Sequence, residues 1–360
     1  MMNTQRLEKV LKKMETEGLE QMIISDPHAI YYLTGRFIDP GERLLALYIN
    51  QSGKNKIFIN NLFTVPEDLG VEKFRFSDTD DYLTPLCDCV EAGKPLGIDK
   101  TFAARFLIPV IDHSGASSYK VSSICIDEVR ACKDDEEREK MRAVSAINDK
   151  AMAQFRGLIH EGVTEEEIAS KMLDIYKSLG ADGYSFEPLV GFGANCALGH
   201  HGPDNTVLKE GDTVLFDVGC RKDGYCADMT RTFFYKKVPS EKHRAIYETV
   251  RRANAAAEAI LKPGVPLCEV DKAARQIIED AGYGPNFTHR LGHFIGLEVH
   301  EYGDVSSANT KVAEVGNIFS IEPGIYVEGE VGVRIEDLVL ITEDGCEILN
   351  SFSKELDIVE

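Results

Sequence analysis

Positive charge is in short supply here: 40 lysines and arginines against 60 aspartates and glutamates leave a net charge of -20. That balance argues against a polyanionic partner such as nucleic acid and suits a site that draws in cations. Long apolar runs are missing too. None approaches the ~20 residues of a membrane span, and Met1-Met2-Asn3-Thr4-Gln5-Arg6 opens into a helical pattern without a signal-peptide core. A cytoplasmic protein with no membrane partner is expected. The nine cysteines are an odd number with no Cys-x-x-Cys pair, which fits reduced, buried thiols and disfavours a structural zinc. Gly-x-x-x-x-Gly-Lys-Ser/Thr, Gly-x-Ser-x-Gly and His-Glu-x-x-His are absent, removing phosphate cradles, serine-hydrolase elbows and zincin helices. The segment Gly191-Phe192-Gly193-Ala194-Asn195-Cys196 begins like a dinucleotide fingerprint but lacks its third glycine.

What is present suggests two domains in 360 residues. The pattern over 4–17 predicts a helix, with Leu7, Val10, Leu11 and Met14 on one face and Gly18 as its stop. Strands are expected at 21–25, 43–50 and 56–60, then a helix near 82–91, a strand at 96–99, a helix over 101–111 and a last strand at 119–122. These make a small α/β domain over 1–132, with 126–132 expected as the connection out of it. The charged run from Lys133 to Lys140 reads as the start of a long helix, because Met141, Val144, Ala151, Phe155 and Leu158 continue at helical spacing and Asp134 with Glu137 matches a capping box. The second domain then covers 133–360.

Within it, Val214, Leu215, Phe216 and Val218 predict a buried strand interrupted by Asp217, where an unpaired charge would cost several kcal/mol. Asp228 follows a Lys222-Asp223-Gly224 turn, so a hairpin brings the two carboxylates side by side. Like charges forced together call for a cation between them. The chain then repeats itself. Gly211 to Gly219 matches Gly316 to Gly324, with Asp217 answered by Glu322; the second copy ends in Glu336 as the first ends in Asp228. Upstream, Gly162-Val163 pairs with Gly264-Val265 and Gly180 with Gly282, all at an offset of roughly a hundred residues, the scale of a duplicated half-domain. Two halves folded face to face would gather four carboxylates, with His293 as a nitrogen ligand. Such an oxygen-rich set with one imidazole suits two hard divalent ions, manganese first, with cobalt, iron or zinc as alternatives.

The series Asp217, Asp228, His293, Glu322 and Glu336, set in the words Asp-Met-Thr-Arg-Thr, Gly-Leu-Glu-Val-His-Glu, Glu-Pro-Gly and Val-Arg-Ile-Glu-Asp, resembles the pita-bread metallopeptidases over essentially the whole chain. The likeness is closest to the Xaa-Pro dipeptidases (prolidases) and aminopeptidases P, whose amino-terminal domain has a segment similar to Tyr31-Tyr32-Leu33-Thr34-Gly35. The resemblance implies a creatinase/prolidase-type α/β domain followed by a pseudo-twofold pita-bread α+β domain with a curved antiparallel sheet. It implies that Asp217 holds one metal, Asp228 and Glu336 bridge both, and His293 and Glu322 complete the second. It also implies that His200 and His300 meet the substrate and stabilise the tetrahedral intermediate, with Glu322 as the proton relay and His201, His289 and Arg334 as further substrate groups. Two ions sharing a water would lower its pKa towards ~7 and offer a metal-bridged hydroxide to the carbonyl before proline. Two departures stand out: Phe294 follows His293 where these enzymes commonly have Gly, and Gly199 stands where Pro often precedes the catalytic His. The expected partner is a short proline-containing peptide, most simply an Xaa-Pro dipeptide, and the expected assembly a homodimer. The alternatives are an aminopeptidase P acting on Xaa-Pro-Yaa peptides, and a non-peptidase or binding protein on the same fold.

Overall fold

Helix formation begins where the sequence predicts it. Asn3 accepts a hydrogen bond from the backbone of Arg6, the helix runs Thr4–Thr16, and Gly18 leaves it at φ +70°. This helix belongs to the first of two units into which the computed structural model divides, Met1–Arg130 and Ala131–Glu360; residues 2–199 and 201–360 are described. In the first unit a six-stranded mixed sheet is ordered Glu72–Phe76, Lys56–Asn60, Leu45–Asn50, Gln21–Ile24, Pro95–Ile98 and Ser118–Val121. Gln21–Ile24 and Leu45–Asn50 are buried along their whole length, which is why their side chains do not alternate in polarity. Phe102, Phe106 and Val110 pack with Leu86 and Val90 against Ile23, Ala46 and Phe58 of the sheet. The stretch expected as a connection at 126–132 is instead mostly helix, Ile124–Ala131. Cys125, Ile126 and Val129 are buried on one face of it, and Arg130 pairs with the buried Asp26 at 3.2 Å.

The second unit is built twice over. Helices Asp135–Arg156 and Glu165–Ser178 form the first pair, Glu241–Ile260 and Leu267–Asp280 the second. The capping box on Asp134 and Glu137 is present in full, and Thr164 with Glu167 forms another. The repeated glycines share a backbone conformation closed to most side chains: φ is +78° and +87° at Gly162 and Gly264, +90° and +84° at Gly180 and Gly282, and +89° and +92° at Gly211 and Gly316. Each half also buries an asparagine that ties its first helix to a strand carbonyl. Asn148 Nδ2 donates to Val218 O at 3.1 Å, and Asn254 Nδ2 donates to Ile321 O at 2.9 Å.

In the first half, Leu189–Phe192, Thr213–Val218 and Met229–Tyr235 lie antiparallel, and Ile358–Val359 adds a parallel edge. The Cys220–Lys222 and Tyr225–Cys226 hairpin turns through Asp223 at φ +50° and Gly224 at φ +84°, the two positive angles a tight two-residue turn needs. In the second half, Ile318–Ile321, Asp337–Ile341 and Cys346–Ile348 form one antiparallel sheet, and Gly324–Val327 pairs with Val331–Arg334. Arg231 stitches the halves together from the inside. It is 1% exposed, pairs with Asp337 at 2.7 Å, donates to the carbonyls of Thr230 and Glu336, and holds the final segment through the carbonyls of Phe352 and Ser353.

Breaking a buried ion pair from one side leaves the other charge in low dielectric, at a cost of about 3–5 kcal/mol. Lys354 Nζ also reaches Asp337, at 2.6 Å, so Arg231→Met is expected near the lower end of that range. Calorimetry of the metal-free protein should show a melting temperature lower by about 5–10 °C.

Candidate metal centre

The centre lies where strands of the two halves end. Val214, Leu215, Phe216 and Val218 are fully buried, and Asp217 sits opposite Thr230 on the neighbouring strand. Asp228 comes just before that neighbour begins, so the hairpin does bring the two carboxylates together, and the charge of Asp217 opposes ionisation of Asp228. Glu322 follows Ile318–Ile321, with its backbone N–H donating to Leu291 O. Glu336 lies in the step between Val331–Arg334 and Asp337–Ile341, with its N–H on Thr230 O at 3.1 Å. His293 projects from the two-residue strand Gly292–His293, and its Nε2 is 3.5 Å from both Asp228 Oδ2 and Glu322 Oε1. Asp228, His293 and Glu336 offer ligand atoms within 4.8 Å of one another.

This is an unfavourable gathering of negative charge. Burial, then the charges of Asp217 and Glu322, push Asp228 well above the usual carboxylate range, partly opposed by Arg334. Glu336 is raised likewise, by burial first and then by Asp228, Glu322 and Asp217. Asp217 Oδ1 and Asp228 Oδ1 are buried with no hydrogen-bond partner among the described residues. Orphaned, converging carboxylate oxygens beside an imidazole nitrogen fit hard divalent cations.

Around these groups runs a set of orienting contacts. Thr230 Oγ1 donates to Glu336 Oε2 at 2.7 Å and accepts from Arg334 Nε at 3.0 Å. Arg334 also donates to Asp217 Oδ2 at 2.6 Å and to the Tyr326 hydroxyl at 2.9 Å. Tyr326 in turn meets His289 Nε2 at 2.9 Å, while His289 Nδ1 faces Arg290 O at 2.8 Å; the proton therefore sits on Nδ1 and Tyr326 is the donor to Nε2. Burial holds His289 below its usual pKa. Arg334 and His289, read from sequence as substrate groups, are thus joined through Tyr326 to Asp217. Ser320 accepts from the His293 N–H at 2.9 Å and donates to Glu322 Oε1 at 3.1 Å.

The other expected residues divide. His300 is solvent-exposed with its ring edge-on to His293, centroids 4.2 Å apart. Partial burial, then His293 and Arg290, bring its pKa down to about 4, so the ring is neutral at pH 7. His201 contacts the fully buried Glu165 at 2.5 Å, and Glu165 also accepts from the N–H groups of Phe192 and Asp204 and from Asn195. His200 lies outside the described residues. Sequence reasoning missed Tyr326, Ser320, Glu165 and Arg290. Only Tyr326 left a trace: Gly324 of the Glu-Pro-Gly word is a glycine because a Cβ there would strike the Tyr326 hydroxyl.

Comparison with known proteins agrees with this architecture. The family model described as Metallopeptidase family M24 matches residues 139–343, and that of the Creatinase/Prolidase N-terminal domain matches 6–132. The chain belongs to metallopeptidase family M24, with the pita-bread fold preceded by a creatinase-type α/β domain. Within that family it is of the prolidase and aminopeptidase P type. It is 37% identical to an uncharacterised peptidase of Staphylococcus saprophyticus over 97% of this chain and 100% of that one. Among solved structures, a dipeptidase of Pyrococcus horikoshii is 34% identical with a TM-score of 0.92, covering 98% of this chain and 100% of that one. An Xaa-Pro dipeptidase of Bacillus anthracis is 26% identical with a TM-score of 0.91, at 99% coverage of both chains.

Because the raised carboxylates bind protons more tightly in the folded than in the unfolded chain, their contribution is fully present below the unfolded pKa of ~4 and lost as pH rises towards the folded values. Metal-stripped protein should therefore lose stability as pH rises above about 4 through this linkage. Asp228→Asn should raise the melting temperature of the stripped protein at pH 7 by a few degrees, since one like charge is removed. The same variant should lose the stabilisation that wild type gains on adding Mn2+, measured by thermal shift.

Proposed function

We propose that this protein is a two-metal peptidase that cleaves the bond before proline, with Xaa-Pro dipeptides as its substrates. The observation that carries the reading is the buried meeting of Asp217, Asp228, Glu322 and Glu336 with His293, two of whose carboxylate oxygens are left unpartnered. In this reading Asp217, Asp228, His293, Glu322 and Glu336 would hold the two metals, with Asp228 and Glu336 shared between them. The ions, with manganese the first to test, supply the Lewis acidity that brings the pKa of a water towards ~7 and polarises the scissile carbonyl.

The chain's own groups do the rest. Glu322, its Oε1 fixed by Ser320, takes the proton of the attacking water and passes it to the imide nitrogen of the departing proline, which leaves as a secondary amine and needs that proton. His300, neutral at working pH, donates to the oxygen that gains charge in the tetrahedral intermediate, and His200 is assigned to the same task. Arg334 orients Asp217, and Thr230 orients Glu336. His201 braces its loop against Glu165, and His289 acts through Tyr326. The family resemblance further suggests a cytoplasmic homodimer in which residues 133–360 carry the chemistry.

A dipeptidase must also cap the substrate's free carboxylate, whereas an aminopeptidase P must leave that end open. Arg290 favours the former: it is exposed, and its charge is near enough to His300 to resist protonation of that ring. An X-Pro aminopeptidase of Thermotoga maritima, 28% identical with a TM-score of 0.84, keeps the second reading open to test.

Metal-stripped protein should cleave Leu-Pro only after Mn2+ is restored and should leave Leu-Pro-Gly intact; preferential release of Leu from the tripeptide would assign the activity to aminopeptidase P. Arg290→Ala should raise KM for Leu-Pro by about ten- to a hundredfold, the worth of a charge-assisted hydrogen bond, with kcat little changed.

A further inference from the structure

The loop that carries His300 is closed by the residue after it. Glu301 N–H donates to Phe294 O at 2.8 Å, and the Glu301 carboxylate turns back to accept from the N–H of Leu297 at 2.9 Å. A Cβ on Gly296 would stand 2.8 Å from both carboxylate oxygens, so any larger residue there would push the carboxylate from its place. The second oxygen of Glu301 pairs with Lys133 Nζ at 2.9 Å, and the two side chains are 4% and 1% exposed. Lys133 is itself fixed at a junction. Its N–H donates to Gly316 O at 2.8 Å, at the start of the segment leading to Glu322, and the residue after it caps the long helix Asp135–Arg156.

A buried ion pair of this kind is a poor source of stability, because desolvating both charges offsets most of their attraction, and an apolar pair would fill the space as well. What the pair does supply is a fixed position for a loop whose functional side chain is otherwise exposed. We infer that Lys133 and Glu301 are positioning residues for His300, setting the imidazole's height above the metal centre from the far side of the loop. The inference rests on the proposed role of His300 in hydrolysis.

The test is a mutant cycle with Leu-Pro as substrate and saturating Mn2+. The variant Lys133→Met/Glu301→Gln removes both charges and leaves an amide oxygen to accept from Leu297. Its kcat is expected to fall by about tenfold or more, as for a group displaced by about an ångström, while KM changes less than about threefold and the bound Mn2+ stoichiometry is unchanged. In a His300→Ala background the same two changes should lower kcat by less than about twofold, since the group they position is gone. An equal loss in both backgrounds, or no loss in either, overturns the inference while leaving His300 in place. A fully active His300→Ala enzyme overturns the role of His300 and this inference with it. Should the double variant not fold, Glu301→Asp, which keeps the charge but shortens its reach, is carried through the same cycle against the same criteria.

Discussion

Mutual repulsion among Asp217, Asp228, Glu322 and Glu336 is the constraint to which the surrounding structure responds. Asp228 and Glu336 are 4% and 2% exposed, so water cannot screen them, and their pKa values rise accordingly. The only arginine inside the cluster is committed to Asp217 Oδ2, Thr230 and Tyr326 among the described residues. One guanidinium cannot neutralise four carboxylates, and the buried Oδ1 atoms of Asp217 and Asp228 remain without a donor. A strained arrangement of this kind persists where a ligand offsets it, and divalent cations offset it most directly.

Duplication explains how a single chain assembles so many acids at one point. Each half delivers a carboxylate at or just past the end of a buried strand, Asp217 in the first and Glu322 in the second, and each half holds its own strand with a buried asparagine from its leading helix. The two are not copies in detail. Tyr176 completes Asn148, whereas Lys354 completes Asn254 while also pairing with Glu258 and Asp337. The second half therefore carries a layer of charge behind the carboxylate cluster, joined through Arg231 to the carbonyls of Phe352 and Ser353. Side chains mounted on strands fixed this way hold their geometry better than side chains on free loops.

The clustered carboxylates were legible in the sequence because a charge inside an apolar run is anomalous by itself: Asp217 breaks a buried strand, and Glu322 repeats the anomaly at the matching place. The capped start of the long helix and the Asp223-Gly224 turn were legible for the same local reason, since caps and tight turns involve neighbours in the chain; the end of that helix was not, because Leu158, read as continuing the helical spacing, lies beyond Arg156. Partnerships made only in three dimensions were not. Glu165 looks like any acid in the first turn of a helix until His201 and the backbone of Asp204 converge on it. Lys133 looks like the start of a solvated charge run, yet it is among the most buried residues and its partner lies 168 positions away. The helix Ile124–Ala131 was missed as well, and its Arg130 serves Asp26, 104 positions away in the chain.

The pair of imidazoles at the centre shows how burial sorts residues of one type into different tasks. His293 must be neutral at Nε2 to act as a ligand, and its Nδ1 is turned to the carbonyl of Phe294 at 3.3 Å, which fixes the tautomer. His300 stands against the same ring, where a second positive charge would compete with any bound cation. Partial burial, the adjoining His293 ring and the charge of Arg290 bring its pKa down to about 4. In the proposed hydrolysis it then offers a hydrogen bond without offering a proton, which is what a developing oxyanion requires.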